Sequence, residues 1–305
     1  MHLGNARTAL LAWLDVRARR GRMLLRIEDL DRERCRPELA DGVRRDLAWL
    51  GLDWDAETPP QSTRDGAYES ALERLTAAGL TYPCFCTRRE LSMASAPHGA
   101  DGERRYHGTC RPLLPEQRTQ AIIDGRRFAV RVVMPDEPVS FRDRMAGMVS
   151  QPLQEVVGDV AVRRSDGLFG YQLAVVVDDA ADGVTSIVRG DDLLASTPRQ
   201  LALQRMLGLP EPEYAHAPLV MGADGARLAK RHGAPSIADL RDGGAQPAAV
   251  VGALAASVGL VPAGQRALPA DLVPGFTLER VVPDTSGLGE GGTLDPMLDL
   301  PGGTE

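Results

Sequence analysis

Two short runs near opposite ends of this 305-residue chain hold groups suited to phosphate chemistry, His2-Leu3-Gly4-Asn5 and Arg227-Leu228-Ala229-Lys230-Arg231. Lys230 is the one lysine among 35 basic residues. An ammonium is a compact point charge on a flexible stem and a guanidinium a wide planar fork, so lysine kept in an arginine-dominated chain suits a small charge that must reach a phosphate. A chance survivor on the surface is the competing explanation, and composition alone does not separate the two. In the first run, glycine admits close approach of a ligand, amides at a helix start attract anions, and histidine and asparagine add donors. An ordinary helix cap uses the same residue types.

The cysteines suggest a second chemistry. Cys84-x-Cys86 followed by Cys110 supplies three thiolates within one segment, while Cys35 stands apart and reads as a small buried apolar residue. Tetrahedral zinc takes four ligands, and ligand chemistry by itself nominates His107 or His98 as the fourth. Three buried free cysteines are the alternative.

These groups need elements to position them. Leu10, Leu11 and Leu14 recur at helical spacing, so a helix is expected from Leu3 to about Arg20, stopped by Gly21. A short strand over Met23–Ile27 empties into Glu28-Asp29-Leu30-Asp31. Helices follow over about Pro37–Leu50 and Arg64–Ala78, each closed by a glycine. Tyr82–Arg111 interrupts this rhythm as an insertion. Phe128–Met134 then reads as a strand, the apolar run Leu173–Val177 as a strand buried in a parallel sheet, and Pro198–Leu207 and Pro247–Leu260 as helices. The alternation predicts a doubly wound α/β fold with ligands at the carboxyl ends of the strands, where Glu28 falls.

The predicted organisation is a catalytic first half over 1–81, a zinc-binding insertion over 82–127, a catalytic second half over 128–240, a helix over 241–260 and a disordered acidic tail over 261–305. That tail carries two arginines and seven acids, so most of the net charge of −7 sits there. The nearly neutral body does not read as a general nucleic-acid binder, although a local arginine-rich face could still meet a phosphate backbone. With no apolar run of about 18 residues and no leader-like start, the chain reads as cytoplasmic and without a membrane partner; a monomer is expected, although no sequence feature decides it.

Taken together, the His2 and Lys230 runs resemble the HIGH and KMSKS signatures of class I aminoacyl-tRNA synthetases. His2-Leu3-Gly4-Asn5-Ala6-Arg7-Thr8-Ala9, Arg26-Ile27-Glu28-Asp29-Leu30-Asp31 and Val184-Thr185-Ser186-Ile187-Val188-Arg189-Gly190-Asp191-Asp192-Leu193 narrow this to the glutamyl branch. The resemblance spans roughly residues 1–240. Only 74 residues follow Arg231, too few for the anticodon-binding region of a full glutamyl-tRNA synthetase, so the chain looks like the short paralogue family, the glutamyl-Q tRNA(Asp) synthetases.

The resemblance implies ATP-dependent activation of L-glutamate without tRNA, Mg2+ entering with ATP, and transfer to queuosine in the anticodon of tRNA(Asp). It implies that His2, Gly4, Asn5 and Lys230 meet ATP, with His2 and Lys230 catalytic. Glu28 would pair with the substrate ammonium, Tyr171 would contribute a hydroxyl, and Arg189 would grip a substrate carboxylate. It also implies one structural zinc on Cys84, Cys86, Tyr106 and Cys110, the second half matching Tyr-x3-Cys. The family's opening strand and its Arg-Phe-Ala-Pro-Ser-Pro-Thr-Gly-type loop would precede His2, so a start further upstream is expected. A truncated glutamyl-tRNA synthetase and a non-catalytic tRNA-binding remnant are the competing readings.

Overall fold

Helix formation begins directly on the first of these motifs. α1 (Leu3–Ala18) is capped by His2, whose Nδ1 accepts the Asn5 amide at 3.2 Å, using one of the donors a helix start leaves over. This computed structural model describes residues 1–31, 35–87, 89–91, 105–219 and 235–282. Lys230 with its loop, and His98, lie outside the described residues.

After α1 come β1 (Leu24–Leu25), α2 (Pro37–Trp49), β2 (Ala56–Glu57), α3 (Asp65–Ala77) and β3 (Thr81–Cys84). After Cys110 follow α4 (Pro115–Ile123), β4 (Ala129–Val132), β5 (Val139–Asp143), β6 (Gly147–Gln151), α5 (Leu153–Val156) and β7 (Val160–Arg163). The chain continues through α6 (Tyr171–Ala181), β8 (Ser186–Gly190), α7 (Thr197–Leu207), β9 (Glu213–Ala217), α8 (Ile237–Asp242), α9 (Pro247–Ala256) and α10 (Pro269–Leu272). Proline in the first turn of α2, α7 and α9 costs no hydrogen bond there and presets the helical φ.

Strands β8 and β9 run parallel, and β5 joins β9 in parallel and β6 in antiparallel pairing, giving the order β6-β5-β9-β8. The described part of this sheet is therefore mixed, with parallel pairing where the expected site lies. β1 and β2 form a separate parallel pair, and β3, β4 and β7 an antiparallel sheet beside the insertion. One core joins α1 to α9 and β9 through Leu10, Leu14, Ala215, Val250 and Leu254; a second gathers α3, α6 and α7 around β4, β5 and β7.

Two expectations need correction. Leu173–Val177 is not a strand but the middle of α6, a helix buried on most of its circumference, so its apolar run carries no helical period. Its buried Asp178 is satisfied by Gln61, Arg64 and Tyr68 from elsewhere in the chain. The acidic tail is not loose from residue 261: Phe276, Leu278 and Val281 are buried in the first core and Val282 N–H donates to the Val258 carbonyl at 3.1 Å. Burying such side chains stabilises by about 1.5–3 kcal/mol each, enough to hold a short segment in place. Gly252 makes room for it, because a Cβ there would stand 2.0 Å from the Gln265 carbonyl oxygen. Residues 283–305 lie outside the described residues.

Candidate active site

The start of α1 and the end of β8 face each other across a cavity of about 360 Å³, lined by His2, Gly4, Asn5, Arg189 and Gly190 among others. Gly190 is tightly placed. A Cβ on it would meet the Asp192 carboxylate at 2.5 Å and Leu219 at 3.2 Å, so a side chain here would reshape the cavity floor. The structure thus brings together His2, Gly4 and Asn5 with Arg189, which lies more than 180 residues away in sequence.

Arg189 is 9% exposed, and its partners are all neutral side chains. Its Nε donates to His216 Nε2 at 3.0 Å, and its Nη2 donates to Thr197 Oγ1 and Gln200 Oε1, each at 2.7 Å. Tyr214 lies under the guanidinium at 5.2 Å. Among the described residues no carboxylate forms an ion pair with Arg189, and Nη1 takes no partner. A desolvated cation without an anion costs several kcal/mol, so this site favours an arriving carboxylate.

Glu28 and Tyr171 are close enough to Arg189 for its charge to be felt at both. The Glu28 side chain is 42% exposed on its open side, yet enough protein surrounds the carboxyl that desolvation raises its pKa, with Asp179 and Asp178 adding to the rise against Arg26. An arriving ammonium would relieve that repulsion. Burial, then the negative charge of Glu28, raises the Tyr171 hydroxyl, which stays protonated and able to donate. The segment carrying Glu28 is anchored by Arg26, which bridges Asp179 at 2.6 Å and Asp182 at 3.1 Å on the α6 side. Asp29 accepts from the Ser62 amide at 2.8 Å and hydroxyl at 2.6 Å.

The cysteine cluster lies beside this catalytic half, at the end of β3. The sulfurs of Cys84, Cys86 and Cys110 all lie within 4.8 Å of one another, and Cys86 and Cys110 stand 3.5 Å apart. Tetrahedral zinc with sulfurs at about 2.3 Å would set them about 3.8 Å apart, so the donor set fits the ion. The buried Tyr106 hydroxyl is 3.5 Å from Cys84 Sγ and accepts the Cys110 amide at 2.8 Å, whereas His107 is exposed. Burial opposes thiolate formation at Cys84, but the Tyr106 hydroxyl, the Cys86 amide and Arg131 together bring its pKa below the ordinary value. Cys86, desolvated and next to the other two sulfurs, is pushed up to about 12.

Two devices hold Tyr106 in place. Gly158 has φ +72, and a Cβ on it would stand 2.0 Å from the Tyr106 carbonyl oxygen, so only glycine lets the segments cross. The Tyr106 amide donates to the Val157 carbonyl at 2.8 Å, and the Arg131 guanidinium stacks 3.8 Å from the ring centre.

Sequence reasoning missed the groups around Arg189. His216, Asp143, Thr197 and Gln200 come from separate stretches of the chain, on β9, β5 and α7. The one visible signal was a histidine within the otherwise apolar run Tyr214-Ala215-His216-Ala217.

The chain resembles proteins of one family. Residues 1–271 match the family described as tRNA synthetases class I (E and Q), catalytic domain. A protein of Symbiobacterium thermophilum named Glutamyl-Q tRNA(Asp) synthetase is 52% identical over 92% of this chain and 90% of its own length. One of the same name from Nocardia farcinica is 50% identical over 90% of this chain and 86% of its own. The crystal structure of a glutamate tRNA ligase from Elizabethkingia meningosepticum in complex with its amino acid superposes with a TM-score of 0.78 at 26% identity. It is matched over 93% of this chain, which spans 63% of that longer protein. Among the described residues no helix is long and apolar enough to cross a membrane.

Proposed function

Because the chain belongs to the class I tRNA synthetases of the glutamyl and glutaminyl type, a family of ligases, we propose that it activates L-glutamate with ATP and transfers it to queuosine in tRNA(Asp). The buried Arg189, with no carboxylate partner among the described residues, carries this reading. Its free Nη1 would take one carboxylate of the amino acid, Glu28 its ammonium, and Tyr171 a further polar contact. The other carboxylate would attack the α-phosphorus of ATP, breaking the bond to the bridging oxygen and releasing pyrophosphate. His2, the amides at the start of α1 and Lys230 would stabilise charge on the phosphates, where preorganised donors act most strongly. Mg2+ would enter with ATP as part of the nucleotide substrate.

Zinc would be held by Cys84, Cys86, Cys110 and Tyr106, and when bound would tie the end of β3 to the segment around Tyr106 and Cys110. Its role is structural, because all four donors belong to the protein and leave no open position. The names of the relatives, over nearly their full lengths, support queuosine in tRNA(Asp) as the acceptor.

Glutamate-dependent exchange of pyrophosphate into ATP, measured without tRNA, tests the activation step. Exchange is expected without tRNA. Exchange only in the presence of tRNA would favour a truncated glutamyl-tRNA synthetase, and none in either case a non-catalytic remnant. Labelled glutamate should then reach tRNA(Asp) carrying queuosine and not the same tRNA lacking it.

A further inference from the structure

Arg189 can present Nη1 to a ligand only if its other nitrogens are held; α7 holds Nη2 through Thr197 and Gln200, and three neighbouring strands combine to hold Nε. In the parallel register of β8 and β9, Arg189 stands directly opposite His216. On the far side of β9, the end of β5 brings Asp143 to within 2.6 Å of His216 Nδ1. The run Arg189–His216–Asp143 therefore crosses the sheet as a chain of buried hydrogen bonds.

The proton positions in this chain follow from what each group can do. Guanidinium nitrogens only donate, so His216 Nε2, 3.0 Å from Arg189 Nε, carries a lone pair, to which the Thr197 hydroxyl, also at 3.0 Å, can donate as well. The single proton of the neutral ring is then on Nδ1 and is donated to Asp143 Oδ2. Burial, with the nearby charge of Arg189, lowers the pKa of His216 against the pull of Asp143 and Asp191, and keeps the ring neutral. The other oxygen of Asp143 is committed to the backbone: Oδ1 accepts the amides of Met145 at 2.9 Å and Ala146 at 2.8 Å.

We propose that His216 is a positioning residue for glutamate binding, with Asp143 fixing its tautomer so that Nε2 holds Arg189 Nε and Nη1 is left for the substrate carboxylate. This rests on Arg189 gripping that carboxylate, as proposed above. With the opposite tautomer, an N–H on Nε2 would face the N–H of Arg189 Nε, and the arginine would have to turn.

Asp143→Asn tests this with almost no change of shape. Keeping Oδ1 on the two amides turns the new side-chain nitrogen towards His216 Nδ1, where it can only donate, so the ring must move its proton to Nε2. We expect the KM for glutamate in pyrophosphate exchange to rise about tenfold or more, with the KM for ATP within about twofold and little change in kcat. Nitrogen NMR of the ring should show the proton on Nδ1 in the parent protein and on Nε2 in the variant. His216→Leu should raise the glutamate KM similarly, while His216→Gln, whose Oε1 can still accept from Arg189, should recover most of the loss.

A proton on Nε2 in the parent, or a switched tautomer with an unchanged glutamate KM, would overturn the proposal. If Asp143→Asn prevents folding, the contrast between His216→Gln and His216→Leu decides it, and equal KM values for those two would overturn it. Arg189→Ala separates the underlying reading: an unchanged glutamate KM in that variant means that Arg189 is not the carboxylate contact, whatever His216 does.

Discussion

The cysteine cluster and the Arg189 site both bury groups that need an outside partner, and they draw on the chain in opposite ways. The cluster takes its side chains from two tight spacings, Cys84-x-Cys86 and Tyr106-x3-Cys110, and depends on one close crossing at Gly158. Arg189 depends on strand register and helix packing, with supports at Asp143, Thr197, Gln200 and His216 supplied by β5, α7 and β9. Local spacing can carry a soft-ligand site because a few side chains close in sequence supply its donors. A permanently charged guanidinium needs its buried hydrogen bonds already built, and only long-range structure supplies enough of them.

If the cluster is a local unit, its loss should leave the distant site standing. Cys110→Ser is expected to reduce bound zinc from about one ion per chain to under a tenth, with faster amide exchange over β3 and β4 but not over β8 and β9. Metal analysis with hydrogen exchange checks both halves, and retained zinc would remove Cys110 from the ligand set.

A smaller effect probes the crossing that supports the cluster. Gly158→Ala combines a left-handed backbone with a Cβ 2.0 Å from the Tyr106 carbonyl, so unfolding in urea should show a loss of about 2–4 kcal/mol. A loss under about 0.5 kcal/mol would mean that the Tyr106 backbone shifts freely and the crossing does not define the cluster.

The smallest effect concerns the other side of the comparison. The pKa of His216 in the folded protein lies below its ordinary value of 6.5, so as the pH falls through that value the unfolded chain gains a proton that the folded chain refuses. Stability should decline there, by no more than about 1.4 kcal/mol per pH unit from this group. His216→Gln cannot titrate, so urea curves between about pH 7 and pH 5.5 should show a smaller decline than in the parent. Equal declines would show that His216 is not held neutral.

Several helices were legible because their apolar spacing and their proline and glycine boundaries are local facts: α1, α2, α3, α7 and α9 lie within a few residues of the expected spans. α6 was not, since a helix buried nearly all round has the same unbroken apolar run as a buried strand. Its acids Asp178 and Asp179, just past the run read as a strand, are helical residues paired with Arg64 and Arg26. The segment 261–282 was misread because Phe276, Leu278 and Val281 are scattered among prolines, glycines and acids. A glycine within an apolar helix, Gly252, was the only hint that another backbone crosses there.

The sequence alone supplied the capping run at His2 and the three clustered cysteines, and its family resemblance nominated Tyr106, Glu28, Tyr171, Arg189 and Lys230 as site residues. The tertiary structure decided which donors meet. It turned Tyr106 inwards and left His107 exposed, and it set Arg189 opposite His216 with Asp143 behind. Residue types and spacings fix what a group can donate or accept, whereas the register of strands distant in sequence fixes what stands within about 3 Å of it.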